Sequence, residues 1–107
     1  MNNTKYPEFK TLSIPEIKDA WISGEYRGNG FGKRLVQYLE AIAIKENYKQ
    51  VGIGIGLYKG SGFTQKLYVR MGYVFDGNGV IYKYQPVNPG DSYTVDNDLI
   101  LWFKKDL

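Results

Sequence analysis

Three glycines in five residues, Gly28, Gly30 and Gly32, sit in the run Glu25-Tyr26-Arg27-Gly28-Asn29-Gly30-Phe31-Gly32-Lys33-Arg34-Leu35-Val36 and lead into a helical pattern. Glycine reaches positive φ and lets another group approach the backbone closely. The first turn of a helix leaves N–H groups unpaired, with a partial positive charge behind them. A loop of this kind can cradle an anion, and a phosphate or pyrophosphate is its natural guest. From Gly32 to about Asn47, Leu35, Val36, Leu39, Ile42 and Ala43 recur at helical spacing opposite Lys33, Arg34, Gln37, Glu40 and Lys45. The apolar face of this helix should pack on a sheet. The loop then lies at the carboxyl end of the preceding strand, where ligands of α/β folds collect.

The other elements follow from period and punctuation. Ile17, Ala20, Trp21 and Ile22, ending at Ser23-Gly24, predict a central strand over 16–22. Val51-Gly52-Ile53-Gly54-Ile55-Gly56-Leu57 alternates four aliphatics with three glycines, so one strand face is apolar and the other is bare backbone. Each glycine costs a strand roughly 0.5–1 kcal/mol relative to Ala. A packed helix, a bulge or a ligand must therefore come close to that face. A shorter helix is predicted from Gly62 or Phe63 to Arg70, with Gly72 ending it. Asp76 to Gly79 reads as a turn, Val80 to Gln85 as a strand, Asn88 to Asp91 and Asp96 to Asp98 as turns, and Leu99 to Phe103 as a closing apolar strand. Near the amino terminus, Pro7 and Pro15 bracket a segment predicted to be non-helical, a short or edge strand.

The spacing of the glycine loop separates the phosphate-binding motifs. A Walker loop would need Gly at Arg27 and Ser or Thr at Arg34, and a dinucleotide fingerprint would need a third glycine at Lys33. What fits is Arg-x-x-Gly-x-Gly, carried by Arg27, Gly30 and Gly32. After a strand and before a long helix, that pattern resembles the acyl-CoA-binding motif of the GNAT N-acetyltransferase superfamily. Gln65-Lys66-Leu67-Tyr68-Val69-Arg70-Met71-Gly72-Tyr73 resembles the family's later Leu-Tyr-x-x-x-Gly-Phe/Tyr helix end. The resemblance runs from Glu16 onward. The family's usual amino-terminal part has no counterpart, so the chain resembles a front-truncated member.

The resemblance implies an α/β (α+β) fold: a mixed, mostly antiparallel sheet with two flanking helices and acetyl-CoA as co-substrate. It assigns the pyrophosphate to backbone amides of Gly28, Asn29, Gly30, Phe31, Gly32 and Lys33, with Arg27 opening the loop. The thioester and pantetheine fall to exposed backbone groups of Ala20, Trp21 and Ile22, the pantetheine arm entering between that strand and the glycine-rich one. Ser61 stands where many relatives place an Asn that contacts the cofactor. Tyr68 matches the tyrosine held to protonate the departing thiolate. Glu16 stands where some members carry a basic glutamate; Asp19 or water relays are alternatives. The partner is an unidentified primary amine. The front elements that wall the amine pocket in the family are absent, which predicts an open sheet edge covered by a homodimer or another partner. The same departure allows a non-catalytic acyl-CoA-binding or assembly module.

Composition narrows the chemistry. With 107 residues the chain is one domain. It has no Cys and no His, which removes thiolate nucleophiles, imidazole bases and the usual zinc ligands, so no metal is expected. A net charge of +3 without a Lys/Arg block suits an anionic cofactor better than nucleic acid. Asn29-Gly30-Phe31-Gly32 superficially resembles an RNA-recognition signature, but Lys33 to Val36 starts a helix instead of continuing an aromatic strand. No signal peptide or membrane-length apolar run is present, and a cytoplasmic location is expected.

Overall fold

A computed structural model describes residues 4–17 and 30–107. Helix α1 spans Pro7–Leu12, α2 Phe31–Lys45 and α3 Gly62–Arg70. The strands are β1, Gln50–Gly56; β2, Val74–Tyr82; β3, Gln85–Pro86; and β4, Leu99–Asp106. They form an antiparallel sheet in the order β1-β4-β2-β3. Beyond β1, Glu16 forms a parallel bridge to Gly52, with Ile17 N–H donating to Gly52 O at 2.8 Å and Gly52 N–H to Pro15 O at 3.0 Å. The sheet is thus mixed and mostly antiparallel, as expected. The rest of the strand predicted over 16–22 lies outside the described residues.

The expectation of an extended segment between Pro7 and Pro15 is overturned: Pro7–Leu12 is helical. Proline at the first helical position gives up only an N–H that has no intrahelical acceptor, and Pro15 lies beyond the helix end. All three helices finish alike. Ser13 (φ 55°), Asn47 (φ 68°) and Gly72 (φ 92°) are left-handed, and the next residue donates back across the last turn: Ile14 to Phe9 O, Tyr48 to Ala43 O and Tyr73 to Tyr68 O. Ile14 and Tyr73 enter the core directly after these reversals.

Two further readings are corrected. Asp76 to Gly79 is not a turn between elements but an irregularity inside β2, whose register with β4 jumps between Phe75 and Val80. Gly77 and Gly79 take positive φ there, and the Asp76 carboxylate accepts the Asn78 N–H at 2.9 Å. The strand read as Val80 to Gln85 ends at Tyr82, because Lys83 (φ 48°) and Tyr84 (φ 67°) form a two-residue reversal into β3. Neither residue is a customary turn former. Lys83 N–H is held by Asp98 O at 3.1 Å.

The sheet separates two cores. On one face Val51, Ile53, Ile55 and Phe103 pack with Ile17, Val36, Ala43, Tyr68 and Tyr73, under α2 and α3. Tyr73 OH donates to Glu40 at 2.6 Å and Lys105 Nζ lies 3.2 Å from the same oxygen, tying α2 to β4. On the other face α1 lays Tyr6 and Phe9 against Ile14, Ile81 and Trp102. Tyr6 stacks on Trp102 at 4.3 Å, and Phe9 meets both rings edge-on at 4.9 and 5.3 Å. The glycine face of β1 is filled by these groups. The Phe9 ring lies where a Gly52 side chain would be, and the Trp102 ring is 2.9 Å from the corresponding point at Gly54.

Tyr6 OH donates to Asp76 at 2.5 Å and accepts from Asn78 at 3.1 Å. Burial, then the Asp76 carboxylate, push its ionisation above the ordinary tyrosine range. The raised folded value means that the native state holds this proton where the unfolded chain has lost it. Stability should therefore be intact below pH ~10 and fall above it by up to ~1.4 kcal/mol per pH unit. Urea titrations between pH 9 and 11 on the wild type and Tyr6→Phe should show a slope that the variant reduces; equal slopes would refute the assignment.

Candidate functional site

The amino end of α2 has no side-chain cap. Gly30, at φ 80°, is the N-cap, and its carbonyl accepts the Arg34 N–H at 3.1 Å. No acidic residue occupies the first turn, which instead carries Lys33 and Arg34. Cations at a helix amino terminus oppose the macrodipole, at about 0.3–1 kcal/mol each where exposed. An arriving anion reverses that sign, because it meets unpaired N–H groups and side-chain cations together.

The amino end of α3 is fixed to the carboxyl end of β1. Gln65 Nε2 donates to Gly56 O at 2.8 Å, and the Ser61 hydroxyl oxygen lies 2.7 Å from where a Gly56 Cβ would stand. This seats α3 beside the start of α2. Between them lies a cleft of about 320 Å³ lined by Gly30, Gly32 and Lys33 from one side and Phe63, Lys66, Leu67 and Arg70 from the other. Among the described residues, no carboxylate belongs to that lining. Lys33, Lys66 and Arg70 form no salt bridge among the described residues.

Of the residues singled out from sequence, the structure brings Gly30, Gly32 and Lys33 into the cleft, and Phe31 is the first residue of α2. Ala20, Trp21, Ile22, Arg27, Gly28 and Asn29 lie outside the described residues. Glu16, Ser61 and Tyr68 are not among the lining residues. Glu16 is half-buried and accepts the Thr4 hydroxyl at 2.8 Å. Ser61 is the N-cap of α3. Tyr68 is fully buried in the core under α3, its ring edge-on to Tyr73 at 4.9 Å. Sequence reasoning missed Phe63, Lys66, Leu67 and Arg70 as site residues. Their spacing of three, four and seven along one helix face was the available signal.

A glycine-led, uncapped helix end opposite a cationic helix face, beside a mixed sheet, defines an α+β domain with a cationic cleft. The model of the acetyltransferase (GNAT) family matches residues 6–73, and the chain belongs to that family. The matched stretch contains α1, α2, β1 and α3 and ends at Tyr73, so both walls of the cleft fall inside it. No curated protein and no solved structure matches the chain. The family typically uses acetyl-CoA. The described residues fit that polyanion: Lys33 at the start of α2 and Lys66 and Arg70 on α3 line the cleft, with no carboxylate among them. Among the described residues, no helix is long and apolar enough to cross a membrane.

Proposed function

We propose that this protein is a cytoplasmic N-acetyltransferase that moves an acetyl group from acetyl-CoA to a primary amine by direct attack in a ternary complex. The observation that carries the reading is the cationic cleft at the uncapped start of α2, with no carboxylate among its described lining residues. The first-turn N–H groups of α2 and Lys33 hold the pyrophosphate, with Arg27, Gly28 and Asn29 completing the loop. Acetyl-CoA supplies an activated thioester. Backbone groups of Ala20 to Ile22 polarise its carbonyl, where donors aimed at a developing oxyanion are worth several kcal/mol. The amine nitrogen bonds to the carbonyl carbon as the carbon–sulfur bond breaks. The ammonium proton leaves through Glu16 or water, and Tyr68 donates a proton to the thiolate.

Two observations favour a second reading. Tyr68 is fully buried and Glu16 is engaged by Thr4, an arrangement that also suits a non-catalytic acyl-CoA-binding module. Calorimetric titration with acetyl-CoA tests what the two share. Saturable binding is expected, weakened at least about tenfold (1.4 kcal/mol) in Gly30→Glu, which sets a carboxylate at the anion site. A folded wild type that binds no acetyl-CoA would overturn both readings. Binding without acetyl transfer across a screen of amines would select the second.

A further inference from the structure

The cleft carries more positive charge than a pyrophosphate at the α2 terminus uses. Lys66 and Arg70 lie four residues apart on α3, about 6 Å along the helix and on the same face. Both line the cleft wall opposite Gly30, Gly32 and Lys33, and both are exposed with no acidic partner among the described residues. Two like charges one turn apart repel each other, so an unoccupied face of this kind is mildly destabilising. A dianion between them removes the repulsion.

Resting on the acyl-CoA reading, we infer that Lys66 and Arg70 form a second phosphate-binding point, which selects a ligand carrying a phosphomonoester as well as a pyrophosphate. In coenzyme A that group is the ribose 3′-phosphate. A phosphomonoester carries close to two negative charges at neutral pH. The Arg70 guanidinium can meet two of its oxygens with parallel N–H donors, while the Lys66 ammonium acts as a point charge. Phe63 and Leu67 supply the apolar wall between the two phosphate points, against which the adenine can lie. The work is divided: Lys33 and the α2 terminus serve the pyrophosphate, which is common to all such ligands, and the α3 pair serves the group that distinguishes them.

The test is calorimetric titration with coenzyme A and with dephospho-coenzyme A, which lacks only the 3′-phosphate. The wild type should bind coenzyme A about tenfold more tightly or better. In Lys66→Gln/Arg70→Gln the two affinities should converge through loss of coenzyme A binding, with dephospho-coenzyme A held within about threefold of its wild-type value. Lys33→Gln should instead weaken both ligands by similar factors and leave their ratio intact. Circular dichroism confirms that each variant is folded. Equal wild-type affinities for the two ligands, or a ratio that survives the double substitution, would overturn this inference and leave the acyl-CoA reading standing. A wild type that binds neither ligand would overturn both.

Discussion

Gly52→Ala is expected to lose about 2–3 kcal/mol of folding free energy in urea unfolding, a large share of the ~5–15 kcal/mol typical of a domain. A single methyl has this effect because neither side of the contact can yield. Gly52 is held on both edges of β1, opposite Lys104 of β4 and through its N–H and C=O to Pro15 and Ile17. The Phe9 ring occupies the place of the missing side chain and is fully buried. Tyr6 and Trp102 grip that ring from two sides. A flexible side chain would swing aside; this one can move only if α1 lifts from the sheet. Phe9→Ala alone should cost about 3–5 kcal/mol by leaving a cavity. The Gly52→Ala/Phe9→Ala pair should cost clearly less than the sum, since the new methyl enters that cavity. A Gly52→Ala variant within about 0.5 kcal/mol of wild type would show that α1 is not seated on β1 in solution.

Tyr68→Phe should lower kcat by about 100-fold or more while leaving acetyl-CoA affinity within about twofold, if the hydroxyl protonates the departing thiolate as proposed. The substitution keeps the ring, its burial and its edge-on contact with Tyr73, so the core loses only one oxygen. Thiol release is a clean readout, because the protein has no cysteine of its own. The amine is whichever acceptor the screen returns. A purely structural Tyr68 would behave differently: the melting temperature would shift by a few degrees and kcat would follow only the folded fraction. Both quantities measured on one preparation separate the two roles. An unchanged kcat with a lowered melting temperature would remove Tyr68 from the chemistry.

The elements that were legible in the sequence are those whose signal is local. The pattern from Leu35 to Ala43 implies α2 within two residues of its observed ends, and Gly72 marks the close of α3 by being the residue that most readily turns left-handed. Pro7 misled, because proline both starts helices and breaks them, and only the packing of Phe9 against Trp102 selects the first outcome. Asp76 to Gly79 carries every mark of a turn. It stays within β2 because Phe75 and Val80 each find a partner on β4 across the irregularity. The true reversal, at Lys83 and Tyr84, has no glycine or asparagine to announce it.

The candidate site divides in the same way. Gly30, Gly32 and Lys33 could be named from sequence because a glycine-led helix terminus is announced within one short stretch of chain, and the structure places all three on the cleft. Lys66 and Arg70 could not, because a cation on an exposed helix face looks like any other until another element is placed opposite it. The family, helices α2 and α3 and the alternation of β1 were legible in the sequence alone, each through neighbours a few residues apart. Which aromatic ring fills the glycine face, which residues of α3 line the cleft, and the burial of Tyr68 in the core were decided by the tertiary structure. Those are contacts between segments distant in the chain, and their free energy exists only once the sheet has brought the segments together.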